Sequence, residues 1–476
     1  MNKFLIALVF ASVLISCKID KKDDKQVVEE KVKEIEIMSS EMMESAVIYE
    51  ANIRQYSPEG TFNEFTKDIP QLKQLGVKII WVMPIFPISK TKRKATGGEF
   101  ASLIEDEAER KKALGSYYAV SDFTKINPEF GTLEDFRALV KTAHDNDIYV
   151  ILDWVPNHTG WDHTWLKTNP EFYTRNSKGE LTDPLNDDGS SKGWADVADL
   201  NYDNQDLRKE MIKDLKYWIT EENIDGFRCD VAGAVPNDFW KDAISQLRKE
   251  KEIFMLAEAW EPELMKDDLF DMAYAWDGHH LMNALAKGEK SLKDWDDYMM
   301  RNSQRYEADD ILLNFVTNHD ENSWSGTINE RMGDASELMT AFSYLIPGMP
   351  LIYSGQEYDL NHRLKFFEKD LIPKTKGKTW ELLVKLGNLK NANPALNGGK
   401  NAATINRSET NNDAVLVFKR YKKGNIVTFI GNMSNKEQTF DNIIKGKYLD
   451  YMSNKEIVLS DEIITLKPWE YKILIE

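Results

Sequence analysis

Eight short apolar runs recur along the chain, with amphipathic stretches between them. They fall near 47–49, 78–82, 148–153, 226–230, 253–257, 269–274, 312–317 and 351–353. Runs this short and this apolar read as strands covered on both faces, and stretches such as 133–146 and 207–221 supply the helical crossovers that parallel strands need. Eight strands alternating with helices predict a (β/α)8 TIM barrel, whose reactive groups gather at the C-terminal strand ends. Four runs carry polar tips. Gly226-Phe227-Arg228-Cys229-Asp230 places an arginine and an aspartate two apart, on one face of a strand. The guanidinium is expected to hold Asp230 below the usual carboxylate range, ionised and able to act as a nucleophile. The run 253–257 ends in Glu258, followed by Ala259-Trp260. Its apolar surroundings are expected to raise its pKa, as a general acid requires. The run 312–317 ends in Asn318-His319-Asp320, and Ile151-Leu152-Asp153-Trp154-Val155-Pro156-Asn157-His158 adds a fourth tip. Taken singly, each is an ion pair, a loop acid or a cap. Together they predict one pocket built by several strands.

In this order, D-x-V-x-N-H, G-F-R-x-D, an isolated Glu after a strand, and N-H-D resemble the signature regions of glycoside hydrolase family 13, the α-amylase family. The resemblance runs from about Val47 to the C-terminus and includes Gly76 to Pro84 and Gly348 to Glu357 at the second and eighth strands. It implies Asp230 as catalytic nucleophile and Glu258 as acid/base, on opposite sides of a glycosidic bond. It also implies retention of configuration, with about 5–5.5 Å between the two carboxyl groups. Asp320 matches the third acid, which grips sugar hydroxyls. Arg228, His158 and His319 match residues around the same sugar, and Tyr118 matches the tyrosine stacked beneath it, with Tyr117 an adjacent competitor. Asp153 and Asn157 are read as braces. Within 158–205, the expected B domain, Val197-Ala198-Asp199-Leu200-Asn201 resembles the fifth signature region and leans toward the oligosaccharide and α-glucosidase-like side of the family.

Two departures stand out. Many members carry Lys-His three and four residues after the nucleophile, where the pair serves acceptor sugar and calcium. Here those positions are Gly233 and Ala234, so the shared calcium site loses its motif and the acceptor region should differ; no metal ligand is assigned and no cofactor is required, with structural calcium left open. The loop 55–60 lacks the calcium motif of some subgroups. Asn186-Asp187-Asp188-Gly189 reads either as a calcium loop or as an exposed turn.

Outside the barrel, expected at 46–392, the remaining segments read differently. A basic start, an apolar run to Ile15 and Leu14-Ile15-Ser16-Cys17 resemble a lipoprotein signal (1–17) whose lipobox makes Cys17 the lipid anchor; an ordinary signal peptide is the alternative. Residues 18–45 read as a charged tether. Lys-Asp-Asp near its start resembles surface-export signals of Bacteroidota lipoproteins, which implies the outer membrane of a bacterial cell envelope. Cys229, the second of two cysteines, is expected to face the helix layer as an inert thiol. A formal charge of −18 argues against nucleic-acid partners, and 13 Trp exceed what a core needs and suit sugar stacking. Residues 89–114 form a long insertion read as a flap, and 393–476 alternate as a C-terminal β-sandwich. The expected activity is retaining hydrolysis of α-1,4-glucans or malto-oligosaccharides. The alternatives are transglycosylation within the same family and a non-catalytic glucan-binding lipoprotein. Oligomeric state is left open.

Overall fold

A computed structural model describes residues 38–186 and 188–476; the expected signal, Cys17 and most of the tether lie outside them. Eight parallel strands close into a barrel: β1 (Val47–Ala51), β2 (Val77–Val82), β3 (Tyr149–Trp154), β4 (Gly226–Cys229), β5 (Phe254–Ala257), β6 (Met272–Tyr274), β7 (Ile311–Asn314) and β8 (Met349–Tyr353). Each strand pairs with its sequence neighbour, and β1 pairs with both β2 and β8. The two faces of the strands explain why they read as unbroken apolar runs. Ile48, Ile79, Trp81, Ile151, Leu256 and Leu313 fill the interior, while Val47, Ile80, Val82, Leu152, Phe227 and Met255 pack with the helices. Cys229 belongs to that outer set, is fully buried and is free.

Two strands differ most from the expectation. β6 begins at Met272 rather than 269, because Asp267 adopts φ 60° within a tight turn and Leu269 and Phe270 pack outward among the helices. β7 ends at Asn314 rather than 317, so Asn318, His319 and Asp320 stand on a loop beyond it. The expected tether also ends earlier. Met38 is buried, Ser39 caps a short helix Ser40–Glu44, and Glu44 accepts hydrogen bonds from Asn397 and Asn401 and pairs with Lys422.

Between β3 and the helix Gln205–Thr220, strands His158–Gly160 and Val197–Asp199 form an antiparallel pair around an irregular, inserted segment. After the helix Lys378–Ala392 come a six-stranded and a two-stranded antiparallel sheet. The larger sheet uses both faces. Val415, Val417 and Ile430 meet Phe440 and Leu466 of the small sheet, whereas Leu416, Phe418 and Phe429 pack toward the barrel. Arg420 is buried at that junction, has no acid partner among the described residues, and donates to the carbonyls of Leu345, Asn397 and Ala403.

Candidate active site

The strand register brings the polar tips together. Asp153 of β3 stands opposite Arg228 of β4, and Arg228 Nη1 bonds Asp153 Oδ1 at 2.9 Å and Asp230 Oδ1 at 2.8 Å. Nη2 lies 2.9 Å from Glu258 Oε2. One guanidinium therefore holds three carboxylates. It is fully buried and fixes the carboxylates around it. Backbone bonds complete the placement. Asp230 N donates to Trp154 O and Glu258 N to Cys229 O, so each acid is pinned to the strand before it. Val231 N donates to Glu258 Oε2 at 2.9 Å. Val231 takes φ 45°, ψ 42°, a left-handed conformation that is costly for a β-branched residue and is found where a site imposes it.

The pKa values differ in part from expectation. Burial pushes Asp230 up to about 6, and Arg228 only partly offsets it. The expected depression is thus reversed, because the guanidinium's charge is shared with Asp153 and Glu258 while all of them are out of water. Burial also raises Glu258, to about 7. Of the two, Glu258 is the weaker acid.

His319 is gripped from both sides. Its Nδ1 meets Glu50 of β1, and its Nε2 meets the Tyr118 hydroxyl at 2.8 Å and Asp320 at 3.3 Å. Burial disfavours its charge, but Asp320 and Glu50 outweigh burial and raise it to about 9. An imidazolium then donates to Glu50 and toward Tyr118, whose hydroxyl donates on to Asp153 at 3.1 Å. His158 is the opposite case: burial lowers it to about 3, so it stays neutral. Asn157 Nδ2 donates to His158 Nδ1, and the ring also bonds the backbone of Tyr118, which fixes its orientation at the cavity wall. Asp320 is followed by a π-helical turn, Glu321–Ser325, a widened backbone frequent at functional sites.

These groups open on one cavity of about 750 Å³ lined by Tyr118, His158, Asp230, Glu258, His319 and Asp320. Tyr117 lies behind the wall, donating to Asn52 with Arg54 over its ring, so of the two it is Tyr118 that faces the cavity. The insertion reaches the cavity through Lys94, Thr96, Gly97 and Gly98, as a flap would. Sequence reasoning missed Glu50, although it too is an acid at the end of an apolar strand. It also missed Trp81 and Tyr274, which hold Asp153 and Arg228, and the cavity-wall aromatics Trp324, Phe366 and Phe367. Asp188 spends Oδ1 on Ser190 within an exposed turn, and among the described residues no three or more His, Cys, Asp or Glu cluster as metal ligands would.

A parallel barrel whose strand ends bring two buried carboxylic acids and a third acid into one cavity defines an enzyme of glycosidic-bond chemistry. The alpha-amylase catalytic-domain family model matches residues 39–414, and the chain belongs to that family. It is 25% identical over 491 residues to "Alpha-amylase 3" of Dictyoglomus thermophilum, covering 86% of this chain and 89% of that one. It is 28% identical over 333 residues to "4-alpha-glucanotransferase" of Thermotoga neapolitana, covering 63% and 67% respectively. A solved α-amylase from Lactobacillus plantarum superposes with TM-score 0.79 at 27% identity, over 92% of this chain and all of the other.

Proposed function

We propose that the enzyme is a retaining α-glucan hydrolase acting on α-1,4 bonds of starch-like glucans or malto-oligosaccharides. The observation that carries this reading is the single guanidinium between Asp230 and Glu258, which holds the two acids close while Glu258 keeps the higher pKa. Arg228 occupies Asp230 Oδ1, leaving Oδ2 to attack the anomeric carbon. Glu258 Oε2 is taken by Val231 N and Arg228, leaving Oε1 to carry the proton. Glu258 gives that proton to the leaving oxygen as the C–O bond breaks and the Asp230–sugar bond forms. The resulting carboxylate of Glu258 then takes a proton from water, whose oxygen displaces Asp230 and restores both groups. Asp320 and His158 are positioned to grip hydroxyls of the sugar, and Tyr118 to lie against its ring.

Incubating the purified protein with maltoheptaose, with and without chelator, tests the reading. Shorter maltosaccharides are expected at rates within about twofold of each other in the two conditions. Products longer than the substrate would favour transglycosylation, the reading supported by the glucanotransferase relative, in which a sugar hydroxyl replaces water. Binding without turnover would return the non-catalytic alternative.

The placement proposed for the enzyme is the bacterial outer membrane, held by lipid on Cys17 of a Bacteroidota-type lipoprotein. Support for it comes from the residues around Cys17 alone. Cys17→Ala is expected to move the protein from the membrane to the soluble fraction, and unchanged partitioning would overturn the anchor.

A further inference from the structure

The missing Lys-His pair leaves a question at the acceptor side of the site. At Gly233 a Cβ would lie 3.0–3.1 Å from the carboxylate of the exposed Glu261, so a side chain there would have to push that carboxylate aside. A lysine enters the cavity from elsewhere. Lys94, on the insertion after β2, sits in a small hairpin whose strands pair at Lys94 and Phe100. Its ammonium lies 3.1 Å from Asp196 Oδ1 and 3.3 Å from Gly193 O. Both belong to the segment inserted after β3. Lys94 and Asp196 line the same cavity as Glu258 and Val231, and Trp194 lines it beside them. The Trp194 ring meets His158 at 5.7 Å and 65°, so it adjoins the sugar that His158 would contact.

We infer that Lys94, Asp196 and Trp194 form the subsite for the leaving-group sugar, replacing the absent Lys-His pair with residues of two other loops. The inference rests on the α-glucan reading above. An ammonium has three donors, and two are spent on Asp196 and Gly193. Asp196 has Lys94 as its one partner among the described residues, which leaves Oδ2 free. The pair therefore offers one charged donor and one charged acceptor, side by side and largely shielded, with side chains 19% and 8% exposed. Vicinal hydroxyls of a pyranose supply the complement, one accepting and the next donating. Charge-assisted bonds of this kind are the strong ones, and the indole covers an apolar sugar face. The lysine and the aspartate also tie the flap to the inserted segment, so binding a sugar there would order both loops at once.

The test compares maltotriose, whose leaving group is a sugar, with 4-nitrophenyl α-maltoside, whose leaving group carries no sugar hydroxyls. In Lys94→Met and Asp196→Asn, the ratio of kcat/KM for maltotriose to that for the aryl maltoside is expected to fall about tenfold or more. The loss should appear mainly in KM for maltotriose, and Lys94→Arg should restore part of it. A ratio unchanged from wild type would overturn the inference. So would equal losses on both substrates, which would mean that the pair only holds the loops. Turnover of both substrates by the wild-type enzyme checks the glucan reading on its own, so a flat ratio counts against this subsite alone.

Discussion

Asp230→Asn is expected to lower kcat on malto-oligosaccharides by about 10⁴-fold or more, the scale seen when a covalent nucleophile is removed from a site whose other parts remain. The amide keeps the shape of the carboxylate, and its oxygen can still accept from Arg228 Nη1, so the fold and the cavity should persist. What is lost is the charge that attacks the anomeric carbon. The change also removes one of the three carboxylates around Arg228, whose buried charge would then rest on Asp153 and Glu258. Because Asp230 is buried, its amide adds no exposed group and glucan binding should remain measurable by titration calorimetry. Retained turnover would sink the assignment of Asp230. Lost binding together with lost turnover would point to a collapsed site instead.

The barrel was legible because its strands are covered on both faces, which makes them apolar throughout and separable from the helical stretches. The acids were legible because each follows such a run. What escaped had physical reasons. Asp230 was expected to be depressed by its neighbour Arg228, since two residues on one strand face must meet. The sequence does not display that Asp153 and Glu258 share the same guanidinium, nor that the whole set is out of water, and those two facts reverse the direction. Glu50 carried the same acid-at-strand-end signal as Glu258, but its partner His319 is 269 residues away, a pairing created only when β1 closes the barrel against β8. Trp324 stands in the short π-helical turn and Phe366 and Phe367 on a loop, none with a period to read, and only the fold shows that they share a wall with Tyr118. Residues 38–45 looked like tether because their composition is polar. Glu44 nevertheless folds inward, because Asn397, Asn401 and Lys422 wait for it nearly the whole chain away.

Glu258→Gln is expected to act according to the leaving group. For maltotriose, whose departing alcohol needs a proton, kcat/KM should fall about 10²–10⁴-fold. For a substrate such as an α-maltosyl fluoride or a dinitrophenyl maltoside, which leaves without a proton, bond cleavage should be nearly spared. The glycosyl-enzyme should then accumulate, because the same side chain no longer activates water. A burst of released fluoride or dinitrophenol followed by a slow steady state would report both roles at once. The pH profile gives a second readout. Activity of the free enzyme needs Asp230 ionised and Glu258 protonated, so kcat/KM should rise as pH passes about 6 and fall as it passes about 7. The two acids share Arg228, so these limbs belong to the pair rather than to either residue. In Glu258→Gln the alkaline limb should vanish while the acid limb, set by Asp230, remains. Equal losses across leaving groups, or an alkaline limb that survives the substitution, would place the acid elsewhere. Because Glu258 Oε2 also receives the backbone amide of the strained Val231, the glutamine must present its carbonyl oxygen to that amide. A variant that loses stability but keeps its leaving-group dependence would show that this bond holds the turn without carrying the proton.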